Sequence, residues 1–281
     1  MPAAYLPERR FLRISGPDAE HFLQNLITTD VVSLPAGDAR PGALLTPQGK
    51  ILFDFLVSRE GDTFLLETEI SQIEALSRRL TMYKLRAAAT IATTEQGGVT
   101  ILWGEQAGGQ GAIDIRFGKA GIPLARVPGK ADFDAPDGDY DAVRVEAGVA
   151  VSGTDFALQD AFPHDVMMDL NEGLSFRKGC YVGQEVVSRM QHRGTARRRL
   201  VQVSADEQLP ASGTEITAGG KPVGTLGTVR GGSALAIVRT DRIGEAIAAG
   251  AAVLAGDVAV TPTLPAWSGL SFPAGEEEAG S

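Results

Sequence analysis

One cysteine occurs in 281 residues, Cys180, inside the stretch Lys178-Gly179-Cys180-Tyr181-Val182-Gly183-Gln184-Glu185. A thiol flanked by glycines and two residues from a lysine is a candidate nucleophile or soft metal ligand. Val182, Val186, Val187 and Met190 follow at helical spacing, which predicts a helix here with Cys180 at or just before its N-terminus, Lys178 close by and Arg189 further along. The free N–H groups of a helix start and a neighbouring ammonium both favour thiolate over thiol. The competing reading is a small buried hydrophobe, which is how most lone cysteines serve. A hydrolytic thiol needs a base, and the histidines are His21, His164 and His192, none of them at a spacing that marks a nucleophile–base pair. No ligand pair shows metal-site spacing either, so no metal is expected.

Charge is concentrated around the same stretch. The chain has a formal net charge of −9, yet residues 177–199 hold Arg177, Lys178, Arg189, Arg193, Arg197, Arg198 and Arg199 against Glu185 alone. A focused positive segment on an acidic body points to a small anionic ligand or an acidic partner surface, and away from general nucleic-acid binding. The Arg197–Arg199 run also reads as a solvated edge. A single cysteine excludes an intramolecular disulfide and, from this chain alone, a multi-thiolate zinc or iron–sulfur site. With no apolar leader and no run of 18 apolar residues, a reducing, cytoplasmic home and no membrane span are expected.

The elements that must position these residues are legible in outline. Gly16-Pro17-Asp18 announces a helix that buries Ala19, Phe22, Leu23, Leu26 and Ile27. Ile51 to Val57 and Thr63 to Thr68 flank turn residues around Gly61-Asp62 and form a hairpin. Ser71 and Glu74 match a capping box opening a helix that carries Ile73, Leu76, Leu80 and Tyr83 inward, before a strand near Leu85 to Thr93. Short strands follow at Thr100 to Trp103, Ala112 to Arg116 and Pro123 to Val127, then a helix over Asp139 to Ala147 stopped by Gly148. From Leu200 onward, short β segments at close intervals have the texture of a small antiparallel barrel. The expected organisation is an α+β lobe over 1–95, a second over 96–198, a barrel over 199–271 and an unstructured tail over 272–281.

The octapeptide, with VRVEAGVAVSGTDF and FPHDVMMDLNEGLSFRKGC before it and GTARRRL after it, closely resembles the YgfZ family of folate-binding proteins. That family lies in the superfamily of the glycine-cleavage T protein (GcvT), and GPDAEHFLQNLITTDV, LLTPQGKILFDF, LTMYKLRAAATI and KPVGTLGTV extend the likeness over nearly the whole chain. The resemblance implies a cloverleaf of two ferredoxin-like α+β lobes and a C-terminal barrel around a central opening for tetrahydrofolate. It also implies a role in assembling or repairing iron–sulfur clusters in client enzymes. On this likeness Cys180 is the functional sulfur, tuned or oriented by Lys178, Glu185 and Arg189. Folate contacts fall to Asp165, where the family has Glu, and to Tyr83, Arg86 and Tyr181. Asp169 matches a family Asp, although Met167 replaces the family Asn before it, and Arg144 with Glu146 reads equally as an internal ion pair. Two other functions fit: a tetrahydrofolate-dependent aminomethyltransferase, for which no counterpart of the T-protein Asp is found, and a non-catalytic adaptor docking an acidic client through Arg197–Arg199.

Overall fold

A computed structural model describes residues 2–131 and 138–273 of the chain. The segment expected as a tail therefore lies, from 274 onward, outside the described residues. Contacts divide the chain into two compact units, Met1–Tyr140 with Met168–Ser188, and Asp141–Met167 with Arg189–Ser281.

The first unit is built on β1 (Ala3–Leu6), β2 (Arg9–Ser15), α1 (Ala19–Gln24), β3 (Asp38–Leu45), β4 (Ile51–Glu60), β5 (Thr63–Glu69), α2 (Ile70–Lys84), β6 (Thr90–Thr93), β7 (Val99–Trp103), β8 (Ala112–Asp114), α3 (Ile115–Gly118) and β9 (Leu124–Pro128). Strands from the segments expected as separate lobes share one nine-stranded sheet, in the order β1-β7-β9-β8-β3-β4-β5-β2-β6, antiparallel except for β3 with β8. The hairpin forms where expected, with Glu60 opposite Thr63 and Gly61 at φ +60° in the two-residue turn. One face packs on the helices: Phe22, Leu23, Leu26, Ile27, Ile73, Leu76 and Leu80 meet Leu12, Ile14, Phe53, Phe55, Val57, Phe64 and Leu66. Glu67 of β5 and Arg126 of β9 belong to the other face and touch at 2.5 Å, although three strands lie between theirs. A flat sheet would hold those strands about 19 Å apart, so the sheet is strongly curled.

Two details of α2 differ from the sequence reading. The helix begins at Ile70 after an extended Glu69, which puts Ser71 inside the first turn, and no side-chain cap forms. Tyr83 is 36% exposed instead of closing the core, and Leu85, at φ +47°, ends the helix in full view of solvent.

The second unit contains α4 (Tyr140–Ala147, from its second residue), the last residues of α5 (Gln184–Arg193), and β10 (Arg198–Ser204), β11 (Glu215–Ala218), β12 (Lys221–Arg230), β13 (Ser233–Arg239), α6 (Thr240–Ala248), β14 (Val253–Ala255), β15 (Val258–Ala259) and β16 (Thr261–Thr263). Its seven strands, ordered β15-β14-β11-β12-β13-β10-β16, are all antiparallel and form the nearly closed barrel expected after Leu200. Val201, Val203, Leu226, Ala236 and Val238 fill it together with Ile243 of α6. The residues preceding the barrel are tied to it through Asp155. Its carboxylate accepts from the Arg144 guanidinium at 2.7 Å, from Val151 N–H at 2.8 Å, and from Thr228 N–H and Oγ1 at 2.7 Å each. Gly227 is required there, because a Cβ on it would stand 2.5 Å from Asp155 Oδ1. Arg144 is thus an internal ion-pair residue, but its partners include Asp155 and Asp141 while Glu146 is exposed.

Candidate functional site

The cysteine turn is assembled against two distant pieces of the first unit. Thr28 sits at the centre: its Oγ1 donates to Gly173 O at 2.6 Å and accepts from Ala43 N–H, while its carbonyl accepts from Ser175 N–H at 2.9 Å. Ser175 in turn accepts, through its carbonyl, the Tyr181 hydroxyl at 3.1 Å. Lys178 is 8% exposed, and its Nζ donates to Ile27 O and Thr29 O at 2.7 Å each. On the far side of the sulfur, Gly183 (φ +80°) lies so close to the β3–β4 turn that a Cβ would fall 2.6 Å from Thr46 O. Gly49 of that turn packs against Val186 of α5, where an added Cβ would stand 3.0 Å from the valine Cβ.

This packing accounts for the first half of the octapeptide and for Gly183. Lys178 and Tyr181 are buried anchors on either flank, Gly183 permits the close approach, and Gly179 with Cys180 is left standing at the surface. Cys180 is an exposed free thiol, not the buried hydrophobe of the competing reading. It precedes the first residue of α5, Gln184, by four positions, beyond the first turn over which helix-end charge acts. Glu185 opens α5 and Arg189 follows four residues later, both exposed.

Lys178 does not offer a free charge to the sulfur. Burial pushes its ammonium down to about 8, with the Asp30 carboxylate pulling the other way, and Nζ also lies 5.4 Å from the Tyr181 ring centroid. Burial likewise pushes the Tyr181 hydroxyl far up, so this residue serves the turn as a neutral donor.

The residues expected to meet folate fall in both units. Tyr83 and Arg86 stand exposed at the end of α2, beside Met82 (68% exposed) and Leu85 (87%). Asp165 belongs to the second unit, in a single 3₁₀ turn over Pro163–Val166, and is 2% exposed. Its Oδ2 accepts from Phe162 N–H at 3.1 Å and stands 3.6 Å from Arg198 Nε. Burial raises this carboxyl to about 6, against the pull of the Phe162 N–H and of Arg198 and Arg199. Within the basic run Arg199 is the buried member, 9% exposed and donating to His164 O at 2.8 Å, while Arg197 is exposed and Arg198 pairs with Asp160 at 3.0 Å at the surface. A reversed charge at Arg199 would break a buried contact before it could report on docking, so a test of the adaptor reading belongs at Arg197 and Arg198. Among the described residues no group of three or more His, Cys, Asp or Glu could hold a metal ion, and no helix is long and apolar enough to cross a membrane.

The Asp165 arrangement has a testable consequence. A carboxyl whose folded value lies near 6 instead of 3.8 adds nothing unfavourable below pH 3.8, and it costs the fold progressively more as pH rises through about 6. The full cost is about 3 kcal/mol at most. Asp165→Asn is therefore expected to gain stability over the parent chain at pH 7.5 but not at pH 3.5. Denaturant titrations at the two pH values check this, and an equal difference at both would refute it.

Comparison with known proteins agrees with this architecture. Residues 9–108 match the GCVT N-terminal domain, and residues 197–270 match the C-terminal beta-barrel domain of CAF17. In the crystal structure of the glycine cleavage system aminomethyltransferase T from Bartonella henselae the same fold recurs, with a TM-score of 0.67 over 94% of this chain and 85% of that one, at 18% identity. The mitochondrial iron–sulfur cluster assembly factor IBA57 of Homo sapiens is 30% identical, the alignment covering 93% of this chain and 84% of the human protein. That of Mus musculus is also 30% identical, over 85% and 77%. A homolog from Pyricularia oryzae is 32% identical over 70% of this chain, which spans only 55% of the fungal protein's length. These relatives are IBA57 factors, a family related to YgfZ, and not YgfZ proteins themselves. They also overturn the cytoplasmic assignment, since each is named as mitochondrial. An unpaired cysteine argues for a reducing compartment and does not choose among several. At 30% identity across almost its entire length, the chain belongs to the IBA57 family of iron–sulfur cluster assembly factors.

Proposed function

We propose that this protein supports the assembly or repair of iron–sulfur clusters in client enzymes, with Cys180 as its working group and tetrahydrofolate as its ligand. The observation that carries the reading is the exposed thiol, displayed by a turn whose flanking residues are buried and hydrogen-bonded. A soft thiolate is suited to iron and to sulfide. One thiol cannot fill the four protein positions of an ordinary cluster, so the cluster is cargo and its other ligands come from the client or a carrier. For folate, Tyr83 offers an exposed aromatic side chain and Arg86 a cation for an anionic tail. The likeness to aminomethyltransferase T is one of fold, and no feature described above favours that activity.

The test is alkylation of Cys180 by iodoacetamide with and without tetrahydrofolate. Slower alkylation at saturating folate is expected. An unchanged rate, together with no folate binding by calorimetry, rejects the ligand and leaves the cluster role to be decided by the variant of Cys180 itself.

A further inference from the structure

The lysine of the octapeptide is the feature whose surroundings say more than the proposed function uses. Its ammonium is buried, yet the two groups it donates to are main-chain carbonyls, Ile27 O and Thr29 O, about 150 residues away in sequence. It thus ties the cysteine turn directly to the segment after α1. We infer that Lys178 is a positioning residue for Cys180: its side chain latches the turn to the Ile27 and Thr29 carbonyls, and the thiol is presented for chemistry while that latch is closed. This rests on the reading of Cys180 as the working group and adds how its presentation is controlled.

Hydrogen exchange of amides 173–183, corrected for intrinsic rates, reads the opening of the turn directly. Lys178→Met should accelerate exchange across 173–183 and lower the activity of cluster-dependent enzymes several-fold, with Lys178→Arg restoring part of both. Unchanged exchange in Lys178→Met, or a Lys178→Met protein that supports clients fully, overturns the latch. Neither outcome touches the proposed function, which falls only if the Cys180→Ala protein supports clients normally.

Discussion

Cells that depend on the Cys180→Ala protein are expected to lose support of their iron–sulfur enzymes down to the level of cells lacking the protein, while its stability and abundance stay at those of the parent chain. The separation follows from position. The side chain is exposed and no hydrogen bond to it is seen among the described residues, so its truncation opens no cavity and strands no polar group. Surface changes of that kind lie within about 0.5 kcal/mol. The anchors that shape the turn, Lys178 to Ile27 O and Thr29 O, and Tyr181 to Ser175 O, are untouched by it. Cys180→Ser sharpens the test. It keeps the size and a hydrogen-bonding oxygen but removes the soft, easily ionised sulfur, and it is expected to fail as fully as alanine. Measured activity of cluster-dependent enzymes, normalised to the variant's protein level, decides the matter. Retained activity in Cys180→Ala would end the assignment of the thiol as the working group, and a serine protein that works would show that position alone matters.

The turn also shows what could and could not be read from the chain. Local signals were reliable: the hairpin around Gly61-Asp62, the buried stripe Ile73, Leu76 and Leu80, and the β texture after Leu200 all report interactions between near neighbours in sequence. Even there the helix α6, with Ile243 and Ala246 on its buried face, was hidden among β segments because it is short. Long-range partners left no such trace. Lys178 beside Cys180 suggests electrostatic tuning, and only the fold reveals that its ammonium is spent on carbonyls of residues 27 and 29. The Arg197–Arg199 run looks like surface charge, which holds for Arg198 in its exposed pair with Asp160, yet Arg199 closes onto the His164 carbonyl. The curl that brings β5 to β9 is likewise invisible in periodicity, which records which face of a strand is buried and not which distant strand it meets.

That curl depends on one carboxylate, and the largest stability loss is expected there. Glu67 is 4% exposed and accepts from Arg9 Nε at 2.8 Å and from Arg126 Nε at 2.7 Å and Nη2 at 2.5 Å. Burial alone would raise its carboxyl, but the two guanidiniums overcome it and hold the group near 2. Glu67→Gln keeps the volume and removes the charge, leaving Arg126, itself 3% exposed, with Asp114 at 3.4 Å as its remaining ionic partner. Breaking a buried pair from one side costs about 3–5 kcal/mol, because the other charge stays desolvated. The contribution of Glu67 is fully present above its ordinary 4.5 and is lost as pH falls toward 2, so urea titrations at pH 7 should show the whole difference between parent and variant, and titrations near pH 2.5 much less. Replacing both partners separates pairing from packing: Glu67→Met/Arg126→Met removes both charges and is expected to cost less than Glu67→Gln alone. A Glu67→Gln protein within about 1 kcal/mol of the parent at pH 7 would mean that the curl does not rest on this pair. The β3–β4 turn that seats Gly183 would then owe its place to the apolar face of the sheet instead, where Phe53, Phe55 and Val57 of β4 pack beneath the helices.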